Sequence, residues 1–385
     1  MKKLLFSIIL SIFSILCVAQ NSLDREKLVD SLSRDYRFDK VIELLQNAED
    51  LNGKEKLLLA QAQYRTGKFF DALESYQDLY AKDSSYSFLL QQARIYDKLS
   101  QKDTALYLYY ELAESVGDNA YYWKIAAASA EKLGRMDIAL KCYFQSYELD
   151  QNDVETVYEY TGLLIKLESY KNADSILQKA ILSYPRSIPL KRQRLVTLYR
   201  LKKYDLVVDL SEELFSLNDS NLLNQKIAGL ANYHSKEYNR SIALLENVIE
   251  VDKESDFLHY YLGLAYRESG DAEKASYYLE RSIDLAVSDN LPNYYTQLAV
   301  SYEEAGQTSK AIQAYQIAYK KTKDKVLLYH LARNYDILYK DKKVAMSYYQ
   351  KYLDEKDTAN EYLMNYSKHR IQELKAAVHF EKDTL

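Results

Sequence analysis

A small side chain returns about every 34 positions along this chain, and that return restricts the possible folds more than any other feature. The positions are Ala72, Ala105, Ala139, Ala173, Ala275, Ala311 and Ala345, with Val207 and Ser241 filling the two gaps. Successive intervals are 33, 34, 34, 34, 34, 34, 36 and 34 residues. Self-similarity at such a period marks stacked copies of one supersecondary unit, not a single large core. Only three prolines and nine glycines stand among 385 residues. Both types break regular structure, so their scarcity points to helix and to an all-α fold.

Other positions move in step. Twelve residues earlier a second small residue stands in most units, at Ala60, Ala93, Ala127, Thr161, Gly229, Gly263 and Ala299. Five residues earlier come Gly67, Gly134, Gly270 and Gly306; four residues later comes a large side chain, as at Tyr76, Tyr109, Tyr143 and Leu279. A glycine inside a helix costs about 1 kcal/mol relative to alanine. Gly263 therefore predicts a close approach: it faces Ala275 across a helical hairpin, Gly270 ends the first helix, and Tyr266 and Leu279 fill the space around the contact.

These residues resemble the tetratricopeptide (TPR) pattern, in which a small residue on each of two antiparallel helices lets them pack closely. Trp123 falls at the motif's aromatic position and Pro185 at its proline, while Pro189 and Pro292 fall in first turns of first helices, where a missing N–H is harmless. The resemblance implies a TPR α-α superhelix, a right-handed solenoid of about ten hairpins closed by a C-terminal capping helix. The expected organisation is a degenerate hairpin over 20–53 (with Phe38 and Leu45), about nine repeats over 54–355, and a capping helix and tail over 356–385 carrying Leu363, Ile371, Leu374 and Val378. The unit around Val207 departs from the pattern, with Leu195 and Ser211 at its small and aromatic positions, so its hairpin is expected to splay. An extra residue between Tyr339 and Lys343, and the Ser288-Asp289-Asn290 extension, mark expected changes of pitch or hinges.

Residues 1–19 read as a secretory signal peptide. Lys2 and Lys3 precede an apolar run from Leu4 to Leu16, then Cys17-Val18-Ala19, which places cleavage after Ala19. Lipidation at Cys17 is the weaker alternative, because Leu16 stands where a small residue normally precedes the cysteine. The expected location is periplasmic or secreted, with no transmembrane segment after leader removal. Loss of Lys2 and Lys3 takes the formal charge from -5 to -7. Cys142 would then be the lone thiol, a buried filler with no disulfide partner.

Catalytic chemistry finds no footing. The five histidines show neither metal-ligand spacing nor cysteine partners, and the glycines are too dispersed to cradle a phosphate. No cofactor, metal or enzymatic activity is expected, and an acidic chain does not suggest a nucleic-acid partner.

The TPR resemblance further implies that the first helices line a concave groove through the second, fifth, ninth, twelfth and thirteenth positions of each unit. Between the Lys54 and Phe257 units those positions hold eleven bases: Lys54, Arg65, Arg94, Lys98, Lys124, Lys132, Lys166, Arg192, Arg200, Lys226 and Arg267. Only four acids accompany them, Asp97, Glu131, Glu155 and Glu268, so a +7 groove sits in an acidic chain. Tyr64, Tyr121, Tyr158, Tyr199, Tyr233, Phe257 and Tyr260, with His234, share that face. Tyr and Arg are residues that interfaces favour. The expected function is a non-catalytic exported scaffold that binds an extended acidic segment of a partner protein in this groove. The bland alternative is a solvated helix face; the others are a glycan-binding module stacking sugars on the tyrosines, and a periplasmic sensory component. TPR modules that clamp a chaperone's terminal carboxylate carry Lys and Asn at the fifth and ninth positions, then Lys and Arg two units later. Leu57/Gln61, Leu90/Arg94, Lys124/Ala128, Tyr158/Gly162 and Arg192/Val196 do not reproduce that clamp.

Overall fold

The computed structural model describes residues 24–48, 50–286, 290–355 and 360–383. The expected leader and the Ser288-Asp289 part of the polar extension lie outside the described residues, as does the side chain of Val378. Every regular element among the described residues is an α-helix, and none of these helices is long and apolar enough to cross a membrane. The fold is all-α, a tandem series of helical hairpins. Backbone contacts divide it into two units, one ending at Asn172 and one beginning at Ala173, a division inside the helix Tyr170–Ser183 that no irregularity in the repeat announces.

The first unit contains α1 (24–34), α2 (Phe38–Leu45), α3 (Gly53–Arg65), α4 (Phe69–Lys82), α5 (Tyr86–Lys98), α6 (Lys102–Val116), α7 (Ala120–Lys132), α8 (Met136–Leu149) and α9 (Val154–Lys166). The pairs Ala60 and Ala72, Ala93 and Ala105, and Ala127 and Ala139 are wholly buried. First helices start on short polar caps: Asn52 accepts from the Glu55 amide while the Glu55 carboxylate accepts from the Asn52 amide, a reciprocal cap that satisfies two otherwise orphaned N–H groups. Arg25 of α1 binds that same buried Glu55 at 2.6 Å, and Val29, Val41, Ile42 and Leu45 pack with Leu59 and Ala62, which seats the degenerate hairpin on α3. The Trp123 indole donates to the Gly117 carbonyl at 2.9 Å, and Cys142 is fully buried.

Helix α10 (Tyr170–Ser183) carries the division. The second unit continues with α11 (Ile188–Arg200), α12 (Tyr204–Ser216), α13 (Leu222–His234), α14 (Tyr238–Ile249), α15 (Asp256–Glu268), α16 (Ala272–Leu285), α17 (Leu291–Glu304), α18 (Thr308–Thr322), α19 (Val326–Leu338), α20 (Lys343–Asp354) and α21 (Glu361–Asp383). The close approach expected at Gly263 is present: a Cβ there would stand 2.7 Å from Leu279 Cγ and 3.2 Å from the Ala275 carbonyl oxygen. Gly270 turns the chain between α15 and α16 with φ +94°. Leu195 and Val207 are both wholly buried in one cluster with Leu198, Leu210 and Leu214, and the Ser211 hydroxyl is satisfied by the Val208 carbonyl. Helix α21 lays Ile371 and Leu374 against Tyr329, Ala332, Tyr349 and Tyr352. Its Arg370 reaches the buried Asp336 of α19 at 2.7 Å, and Lys342 joins the same carboxylate at 3.2 Å.

Candidate functional site

The first helices present the predicted basic positions, but the fold divides them into two groups. Several bases are already met by acids from a neighbouring helix or loop. Lys54 Nζ lies 2.7 Å from both Glu26 and Asp30, and Lys166 lies 3.7 Å from Glu131. Lys124 lies 2.8 Å from Asp153 and 2.7 Å from Glu155. Burial pulls the Lys124 ammonium down, but the hydrogen bonds to Asp153 and Glu155 outweigh it and raise its pKa. These pairs hold helices together, and their charge is largely spent within the fold.

The second group remains open. Among the described residues, Arg65, Lys98 and Lys132 have no carboxylate at ion-pair distance, and the Arg94 guanidinium donates to the Tyr121 hydroxyl at 3.0 Å. They line two open cavities that share Tyr64 and Arg94. The larger, about 590 Å³, is bounded by Arg94, Asp97, Lys98, Lys102, Tyr109, Ser129 and Lys132, with Ile125 and Ala128 also in its lining. The smaller, about 440 Å³, is bounded by Ser33, Phe38, Gln61, Arg65, Tyr76 and Gln91. One Asp97 oxygen accepts from Tyr109 at 2.9 Å, which aims that carboxylate at the hydroxyl. Lys102 was missed from sequence because it opens α6, a second helix, and the groove positions were taken from first helices alone. Its signal was a base three residues before the small residue Ala105. Tyr158, on α9, is exposed and stands away from both cavities' linings.

In the second unit the same helical positions are aromatic and mostly self-engaged. Arg192 grips Asp219 through two nitrogens, the Nε bond being 2.7 Å, and Asn224 donates to that carboxylate at 2.7 Å. The Arg192 bond, opposed by burial and aided by Asn221 and Asn224, holds Asp219 below the ordinary carboxylate range. Arg267 donates to Gln297 at 2.5 Å and to Glu268 at 2.7 Å. Lys226 sits 5.5 Å from the Phe257 ring centroid, within cation–π range, and Arg200 has no carboxylate at ion-pair distance among the described residues. Tyr260 stacks on Tyr294 at 4.5 Å, His234 on Tyr204 at 4.3 Å, and Tyr199 and Tyr233 meet Tyr204 and Tyr261 edge-on. Burial, reinforced by Lys202, lowers the His234 pKa, so that ring is neutral at pH 7.

A tetratricopeptide repeat model matches residues 295–321, the stretch that carries Ala299 and Ala311. That match supports a TPR protein. A TPR repeat-containing protein of Methanocaldococcus jannaschii is 23% identical over 289 residues, which are 74% of this chain and 47% of that protein. The chain thus spans about half the length of this curated relative. Among solved structures, a tetratricopeptide repeat protein from Parabacteroides merdae is 16% identical with a TM-score of 0.42, covering 65% of this chain and 98% of its own. YrrB, described as a TPR protein with an unusual peptide-binding site, is 19% identical with a TM-score of 0.42, covering 48% of this chain and 94% of its own. Proteins built from such repeats generally act through protein–protein contacts.

Proposed function

We propose that this protein is a non-catalytic, exported binding scaffold that takes an extended acidic segment of a partner protein along the first helices of its N-terminal unit. One observation carries the reading: Arg65, Arg94, Lys98, Lys102 and Lys132 surround two linked open cavities against the single carboxylate of Asp97. An exposed pair is worth roughly 0.2–1 kcal/mol, so one base would not make a site. Several bases of one sign in a concave wall focus the field, steer an acidic guest, and offer charge-assisted hydrogen bonds once it docks. The second unit supports an anionic guest less well, since Arg192 and Arg267 already hold internal partners. Sugar stacking also has less support, because one face each of Tyr260 and His234 is covered by another ring.

Fluorescence anisotropy of a labelled glutamate-rich peptide tests the reading. The expected affinity falls about tenfold or more between about 50 mM and about 300 mM salt, and the Lys98→Glu/Lys132→Glu double variant loses capture. Binding indifferent to both would overturn it. Lys124→Glu is a poor probe, since it would put three acids together with Asp153 and Glu155 and strain the fold. Export rests on the order of charged, apolar and small residues in 1–19. Its test is the mass of the chain recovered from outside the cytoplasm of an expressing bacterium: a new terminus at Gln20 supports it, and retention of an unprocessed chain removes it.

A further inference from the structure

The two cavities differ in chemistry, and the difference describes the guest more narrowly than its charge. The larger is ringed by Lys98, Lys102 and Lys132 from three helices. Ser129, also in its lining, is only 8% exposed, and its hydroxyl makes no hydrogen bond within the described residues. A hydroxyl that opens into a cationic cavity can donate to an anionic acceptor docked there.

The smaller cavity has another lining. Phe38 and Tyr76 share its lining with Gln61 and Gln91, whose side-chain amides have no hydrogen-bond partner within the described residues. Tyr76 is nearly wholly buried, and that burial pushes its hydroxyl up to about 12, so it is neutral. Rings with amides beside them suit an apolar or aromatic side chain whose own backbone groups need partners. Tyr64 and Arg94 stand on the ridge between the two cavities, since both line each one.

We infer that the site recognises a two-part segment: a cluster of carboxylates held by Lys98, Lys102, Lys132 and Ser129, and an aromatic or large apolar residue held against Phe38 and Tyr76. The inference rests on the acidic-segment reading and makes it specific. The smaller cavity lies against α3 and α5, the larger against α5 and α7, so their centres are on the order of one helix spacing apart, about 10 Å. An extended chain rises about 3.3 Å per residue, which sets the two parts about three residues apart.

The test uses the full chain and four labelled synthetic peptides in anisotropy titrations at low salt. One carries three consecutive glutamates and a phenylalanine three residues away; one has the reverse order; one replaces the phenylalanine with serine; one replaces the glutamates with glutamines. The better of the first two should bind at least about tenfold tighter than the serine peptide, and the glutamine peptide should not bind. Gln91→Ala and Phe38→Ala, neither of which changes the charge of the site, should each lower the ratio of phenylalanine-peptide to serine-peptide affinity measured in that same variant by about threefold or more. Gln91→Ala keeps the test sound if Phe38→Ala loosens the N-terminal hairpin. Equal binding of the phenylalanine and serine peptides would overturn the two-part inference and leave the acidic reading standing. Failure of every glutamate peptide would overturn both.

Discussion

Gly263 shows how much one atom decides here. A methyl group at that position would stand 2.7 Å from Leu279 Cγ and 3.2 Å from a backbone oxygen, so Gly263→Ala must push α15 and α16 apart. Overpacking of this kind costs about 1–3 kcal/mol, and urea titration should show that loss. At Gly229 the obstruction is the Leu245 side chain at 2.8 Å, with no backbone atom among the nearest, so Gly229→Ala should cost less. The hairpin turn offers the opposite experiment. Glu168, Lys202 and Lys236 adopt φ of 58°, 58° and 66° at the place where Gly270 sits in its own hairpin. A left-handed backbone costs a non-glycine residue about 1–2 kcal/mol, partly offset by the extra freedom glycine has when unfolded. Lys202→Gly should therefore raise stability by about 0.5–1 kcal/mol in the same titration. These positions were legible in sequence because close backbone approach and reversed φ each exclude most side chains. The ion pairs were not. Lys124 finds Asp153 and Arg192 finds Asp219 at separations of 29 and 27 residues, where only the way consecutive first helices stack says which acid comes near. An acid just ahead of the following first helix was the available signal.

Helix α21 is held to its neighbours by a charged group as well as by apolar packing. Ile371 and Leu374 bury its apolar side, while Arg370 ties it to Asp336. Burial pushes the Asp336 carboxyl up, but the bonds from Arg370 and Lys342 outweigh it and hold it below the ordinary range. A depressed folded pKa contributes stability that is present above the unfolded value, near 3.9, and is lost as pH falls through the folded value. The protection of the helix amides against hydrogen exchange should thus be high at neutral pH and fall below about pH 4. Asp336→Asn should lower that protection at neutral pH, by about 1–2 kcal/mol of local stability, and converge with the parent chain in acid. No loss of protection at neutral pH in the variant would show that apolar packing alone seats α21. The packed face of this helix was readable from its apolar spacing, but the anchor was not, because Asp336 and Arg370 are 34 residues apart and neither is unusual locally.

At the scale of the whole molecule, hairpins that pack on their neighbours make stability a local quantity. Gly263→Val should speed amide exchange across 256–285 and leave 53–166 nearly unchanged, a contrast that hydrogen-exchange mass spectrometry resolves directly. Uniform acceleration along both units would show a single cooperative body instead. The same locality separates binding from folding: Lys98 and Lys132 are exposed, so exchanging their charge should alter capture while leaving the melting profile in place. The repeat predicted where helices meet, yet the distribution of charge between internal pairing and an open cavity depended on neighbours that only the folded chain reveals.

The sealed position of Cys142 gives this chain an unintended clock. Burial pushes that thiol up to about 11 and shuts reagents out, so with Cys17 changed to serine an alkylating dye can react only when the packing around α8 opens. The pace of dye uptake would then time the opening of one hairpin inside the intact protein, and a bound guest lying across α7 should slow the ticking.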